Sequence, residues 1–162
     1  MELLRFVTPL GPMALGAEGD ALVRVYLPGA SLPPLPDTDT PLLLRGIGQL
    51  EEYFTGARKT FDLPLAPGGT PFQQAVWQAL TAIPWGETRS YGQIAREIGR
   101  PGAARAVGMA NHRNPLPILI PCHRVIGAGG RLVGYAGGLE LKQALLRLES
   151  GGKVPFDGQT RP

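Results

Sequence analysis

Cysteine is all but missing from this chain: Cys122 is the only one in 162 residues. No internal disulfide is available, so the fold rests on its core. A lone thiol also stays reduced most readily in a reducing compartment, which makes the cytoplasm the expected location. Histidine is almost as scarce, with two residues. One Cys and two His are too few for a tetrahedral zinc site of the usual nitrogen and sulfur type. No apolar run approaches the ~18 residues that a membrane helix needs. Met1-Glu2-Leu3-Leu4-Arg5 also puts charges where an export signal needs its apolar centre. Glycine and proline, by contrast, are plentiful at 23 and 17 residues, and 43% of the chain is hydrophobic. That describes one globular domain, or two small ones, of many short elements.

Charge is unevenly shared. Residues 1–69 carry five Arg and Lys against eight Asp and Glu, whereas residues 70–149 carry nine against four. The balance moves from −3 to +5, which points to the second half as the part that would face a polyanion. In the first half, residues 3–7, 13–17 and 21–27 are short apolar runs between Gly, Pro and Asp turns, as in a strand meander. Residues 28–41 hold five prolines and read as a loop. Leu43, Ile47, Leu50 and Phe54 then recur at helical spacing. Residues 60–65 alternate Phe61, Leu63 and Leu65, which predicts one more strand. Nothing in residues 1–69 carries chemistry, and they read as an α/β scaffold domain.

Ala66-Pro67-Gly68-Gly69 is the expected boundary. Thr70-Pro71-Phe72-Gln73 has the form of a capping box with proline at the first helical position, and Phe72, Val76, Leu80 and Ile83 share one face until Pro84. Ser90 can cap a second helix, 91–98, ended by Gly99. Arg100-Pro101-Gly102 turns the chain into a third, from Ala103 to about Asn111. Two short helices across such a turn fit a helix-turn-helix. The third is slim, with Ala103, Ala104, Ala106, Gly108 and Ala110 around one long side chain, Arg105. Small residues of this kind serve either close helix packing or entry into the minor groove, about 6 Å wide. Ala104, Gly108 and His112 fall near one face. A last helix has Leu141, Leu145 and Leu148 as its expected inner face. Glu149, four residues after Leu145, falls on that inward face, either as a buried carboxylate with His123 as its candidate partner or as a solvated glutamate at a frayed helix end. Residues 70–150 form the expected second domain, and residues 151–162 read as a mobile tail.

Cys122 lies in Ile118-Leu119-Ile120-Pro121-Cys122-His123-Arg124-Val125, read as a buried strand delivering a thiol to a site edge. A lone cysteine can equally be packing. An imidazole and a guanidinium directly after it would put a thiolate in positive potential and make it a nucleophile. Asn114-Pro115 precedes this stretch and Gly134-Tyr135-Ala136-Gly137-Gly138 follows it. Together these motifs closely resemble the O6-alkylguanine-DNA alkyltransferases, or methylated-DNA–protein-cysteine methyltransferases, over residues 70–149.

The resemblance implies an α+β fold: a small N-terminal antiparallel sheet domain with a helix, then a mostly helical domain with a winged helix-turn-helix. It implies single-turnover transfer of an alkyl group from O6-alkylguanine in double-stranded DNA to Cys122, with the base flipped out and the protein acting as a monomer without metal or organic cofactor. It assigns Cys122, His123, Glu149 and Tyr91 to the chemistry. Arg105 would fill the gap left by the flipped nucleotide, with Ala104, Ala106, Gly108 and Ser90 at the DNA. Asn114, Pro117, Val125, Tyr135, Ala136 and Gly137 would form or support the pocket. Three other classes share parts of the pattern. They are a helix-turn-helix repressor, a lesion-binding module without transfer activity, and a cysteine hydrolase that turns over.

Overall fold

The computed structural model describes residues 1–135 and 137–151. The expected tail over 152–162 and the pocket position Ala136 lie outside the described residues. The chain divides into two compact units, the first Met1–Gly68 and the second from Gly69 onward.

In the first unit, β1 (Glu2–Thr8), β2 (Gly11–Glu18) and β3 (Ala21–Tyr26) make an antiparallel meander in the order β1-β2-β3. Leu3, Leu15 and Leu22 are fully buried on it. Helix α1 (Pro41–Phe54) starts where Thr40 accepts a hydrogen bond from the Leu43 amide and Pro41 occupies the first turn. The last proline of the expected loop is therefore a helix start. Gly46 lets the helix approach the sheet, since a β-carbon there would lie 2.8 Å from Leu15 Cδ1.

Residues 60–65 are not the expected strand. Among the described residues their one ladder contact is the isolated pair Leu22 with Leu65, closed by the Leu22 amide on the Pro64 carbonyl and the Ala66 amide on the Leu22 carbonyl, both at 2.9 Å. Pro64 has no N–H to give. The Gln49 side chain occupies both backbone groups of Asp62, donating to its carbonyl at 3.1 Å and accepting from its amide at 2.9 Å. A side chain from α1 thus takes the place of a neighbouring strand.

In the second unit, α2 (Pro71–Thr81) begins with a full Thr70–Gln73 capping box. A β-carbon on Gly69 would lie 2.6 Å from the Trp77 ring, so glycine lets the chain enter beside the indole. Trp77 is core, and its Nε1 donates to the Ala110 carbonyl at 2.8 Å. After β4 (Arg89–Ser90), a second capping box, Ser90 with Gln93, starts α3 (Tyr91–Glu97). Gly99 at φ 76° turns the chain out of that helix and α4 (Ala104–His112) follows. α4 packs on α2 and α3, giving the helix-turn-helix. β5 (Val125–Ile126) pairs with β4 in parallel, and α5 (Leu139–Glu149) is the last helix.

The stretch around Cys122 differs from its expected form. Residues 118–125 are buried, yet they form a looped turn rather than a strand. Ile118 sits at φ 75°, a left-handed conformation that costs a β-branched residue about 1–3 kcal/mol. The Ile120 amide bonds back to the Leu116 carbonyl at 2.8 Å, and Cys122–Arg124 is a 3-10 turn. Pro115, Pro117 and Pro121 deny this stretch the donors that a sheet would need.

The inner face of α5 is also rotated from the expected one. It is Lys142, Leu145, Leu146 and Glu149, with Leu141 and Leu148 only half-buried.

Candidate active site

The thiol is 4% exposed, at the first position of the 3-10 turn. Two asparagines at the end of α4 hold this turn by its carbonyls. Asn114 Nδ2 donates to Ile120 at 2.8 Å while its Oδ1 accepts from the Leu116 amide at 2.9 Å, and Asn111 Nδ2 donates to Cys122 at 3.3 Å. A chain too proline-rich for a ladder is fixed by side chains instead. These bonds link α4 to the position of the sulfur.

Next to Cys122 is a buried ionic group. His123 Nε2 lies 2.7 Å from Glu149 Oε2. Arg124 forks onto the same carboxylate, Nε to Oε1 at 2.7 Å and Nη2 to Oε2 at 2.9 Å, while its Nη1 donates to the Ile83 carbonyl at 2.6 Å. Burial alone would raise Glu149, but His123 and Arg124 overcome it and hold the carboxyl at about 2. An ionised carboxylate only accepts, so His123 Nε2 carries the proton and donates it. Nδ1 is then the basic nitrogen, buried and without a hydrogen-bond partner among the described residues. Burial, with the Arg124 and Lys142 charges, keeps His123 below its ordinary 6.5 despite Glu149, so the ring is neutral at pH 7.

Burial pushes the Cys122 thiol upward. The Asn114 amide, the Lys142 charge and the Tyr135 hydroxyl oppose the rise. This corrects the expectation that His123 and Arg124 surround the sulfur with positive charge: one is neutral and the other is matched by Glu149. Tyr91 donates to the Val133 carbonyl at 3.1 Å. Burial first, then the Cys122 charge, push its hydroxyl up to about 12, so it keeps its proton.

Asn114, Tyr135 and Lys142 thus act on Cys122, Cys122 acts on Tyr91, and Lys142 also acts on His123, which Glu149 holds. Pro117, in an isolated pairing with Ile120, and Val125, fully buried in β5, support the same turn, and Gly137 is half-buried just before α5. Ser90 is the cap of α3, its hydroxyl accepting from the Gln93 amide at 3.1 Å.

On α4, Arg105, Ala106, Met109 and His112 are exposed, whereas Ala104 and Gly108 are half-buried. A β-carbon at Gly108 would lie 3.8 Å from the Tyr91 ring. The expected common face of Ala104, Gly108 and His112 is therefore split. Gly108 turns towards α3, and the open stripe is Arg105, Met109 and His112. Three residues were missed from sequence: Asn111, Arg124 as the partner of Glu149, and Lys142. Lys142 precedes Leu145 by three residues and Glu149 by seven, a spacing that shares their face.

Fold and site together define an α+β protein with a helix-turn-helix whose second helix is tied to a buried cysteine flanked by a His–Glu pair. The family model of the 6-O-methylguanine DNA methyltransferase, DNA binding domain, matches residues 71–151. The methylated-DNA–protein-cysteine methyltransferase of Methanosarcina acetivorans is 50% identical over 148 residues, covering 89% of this chain and 95% of the relative. The constitutive enzyme of that name from Bacillus subtilis is 51% identical over 150 residues, covering 88% and 91%. The crystal structure of Mycobacterium tuberculosis OGT in complex with DNA superposes with a TM-score of 0.88 at 45% identity over 96% of both chains. The chain belongs to the methylated-DNA–protein-cysteine methyltransferase family.

Proposed function

We propose that this protein repairs double-stranded DNA by moving the alkyl group of O6-alkylguanine onto Cys122, once per molecule. The observation that carries the reading is the buried thiol beside a neutral imidazole whose other nitrogen is held by an ionised carboxylate. An ether carbon on a purine is a poor electrophile, so the reaction needs a strong nucleophile and a way to stabilise the departing base. The thiol proton leaves through a water to His123 Nδ1, and the imidazolium that forms rests on Glu149. Sγ then attacks the alkyl carbon, the S–C bond forming as the C–O6 bond breaks. Its electrons go to the guanine, and the Tyr91 hydroxyl turns its one proton from the Val133 carbonyl to N3 as charge builds there. The product is a thioether with no leaving group for a second cycle, so the protein is consumed.

The target atom lies inside the duplex, and reaching it requires flipping the base at a cost of a few kcal/mol. The exposed stripe of α4 suits the minor groove, with Arg105 filling the space that the base vacates. Ala104, Ala106 and Ser90 lie near the same DNA, and Pro117, Val125, Tyr135 and Gly137 bound the pocket. A thiol nucleophile of this kind works best in the cytoplasm.

Intact-protein mass spectrometry after mixing with an O6-methylguanine duplex tests the reading. One CH2 is expected on Cys122 with equimolar loss of lesion. Cys122→Ser is expected to abolish transfer while leaving duplex binding intact. Repeated turnover, or transfer by the serine variant, would remove Cys122 from this role.

A further inference from the structure

A thiolate in a dry site needs a cation near the sulfur, and the two basic residues that follow Cys122 do not supply it. Arg124 is matched by Glu149 and His123 is neutral. A third basic side chain is buried on α5, and its charge acts on Cys122. Lys142 is fully buried, and its Nζ donates to the Val133 carbonyl at 2.9 Å and towards that of Gly134 at 3.5 Å. The Val133 oxygen also accepts from Tyr91, so one backbone carbonyl joins the ammonium to the tyrosine. The titratable groups around Lys142 are Cys122 and His123 from the 3-10 turn and Tyr91 from α3 through that carbonyl. On its own helix lies Glu149, whose charge Arg124 matches.

We propose that Lys142 is a positioning residue for the transfer step: its ammonium balances the charge that forms on Cys122 Sγ, and its hydrogen bond to Val133 holds the carbonyl on which the Tyr91 hydroxyl rests. The fold builds it into the inner face of α5 beside Leu145 and Leu146, where burying an ammonium is costly, so the charge needs a reason. Burial pulls Lys142 down from 10.5 to about 8, and the Cys122 thiolate pulls it back up. The same Lys142 charge pulls the thiol down. Each group thus favours the charged form of the other.

This rests on Cys122 as the nucleophile, but it is read on the thiol alone, without DNA. With one cysteine in the chain, ultraviolet absorbance of the thiolate, blanked against Cys122→Ser, follows its ionisation directly. Lys142→Met is expected to lower the thiolate fraction at a given pH by roughly tenfold, one unit in the midpoint, and Lys142→Arg to restore at least half of that shift. An unmoved midpoint in Lys142→Met overturns the proposal. If Lys142→Met does not fold, the wild type decides. The chain has three lysines, so carbon-13-labelled side chains can be titrated by NMR before and after methylation of Cys122 with iodomethane. Loss of the thiolate is expected to lower the Lys142 midpoint, and an unchanged midpoint overturns the pairing. Normal thiol titration in a protein that leaves the lesion in place would instead count against the proposed function.

Discussion

Glu149 resolves a conflict that decides the pH behaviour of the site. Burial favours its protonated form, yet the His123 and Arg124 contacts keep it ionised down to about 2. Its unperturbed value is 4.5, so the stabilisation these contacts give is complete above pH 4.5 and is lost as the pH falls through the folded value. His123 has its pKa lowered from 6.5. The imidazole base therefore stays unprotonated to below that pH, and the second-order rate of methyl transfer is expected to hold level as the pH falls to 6.5, then drop. A drop centred above pH 6.5 would mean that the pull of the Glu149 carboxylate outweighs burial at His123. Glu149→Gln keeps the shape but not the charge, frees the His123 tautomer and leaves Arg124 buried without its anion. General-base assistance is worth 10²–10⁴-fold, so the variant is expected to lose roughly 10²-fold in transfer rate. It is also expected to lose about 3–5 kcal/mol of stability, measured by denaturant unfolding. Equal rates for wild type and variant would remove the Glu149–His123 pair from the proton path.

At the level of elements, legibility followed the origin of each signal. Helix starts were plain because a cap is local: Thr70 with Gln73, and Ser90 before Tyr91, carry their own hydrogen bonds. Glu149 could be placed inward from its four-residue step to Leu145, and it lies 2.7 Å from His123. Two segments misled, for one reason. In 118–125 the apolar pattern marks burial, whereas in 60–65 it leaves Phe61, Leu63 and Leu65 only half-buried. In both, side-chain amides take up part of the backbone: Gln49 at Asp62 in one case, next to the Leu22 amide on the Pro64 carbonyl, and Asn111 and Asn114 in the other. No local spacing encodes that. The same asparagines make α4 the carrier of both the exposed stripe and the turn bearing the sulfur. Arg105 is exposed on this helix and is proposed to act on the duplex rather than on the reacting atoms. Arg105→Ala is therefore expected to slow repair of a lesion in duplex DNA by tenfold or more, the equivalent of about 1.4 kcal/mol, while reaction with free O6-methylguanine stays within about twofold. Equal losses on both substrates, compared by rate constant, would place the arginine in the chemistry instead.

For the molecule as a whole, the second unit holds the matched family domain and every residue proposed for the chemistry, and it carries a buried ammonium that a stable core would not choose. Lys142 falls from 10.5 to about 8 on folding. Below pH 8 the lysine is charged in both states and the folded protein bears the full cost of burying it, on the order of 3 kcal/mol at 1.36 kcal/mol per unit. Between pH 8 and 10.5 the unfolded chain holds a proton that the folded chain has released, so this group makes stability rise with pH. Lys142→Met has no such charge, and buried ions are often replaceable by apolar residues without loss of stability. The stability of Lys142→Met relative to wild type is therefore expected to be greatest near neutral pH and to shrink by up to about 3 kcal/mol towards pH 10.5. Tyr91, raised to about 12, titrates differently in the two states only above pH 10, so the comparison is read below that. Denaturant unfolding at a series of pH values measures this difference directly, and a difference that stays constant across the series would mean that the ammonium is not desolvated on folding.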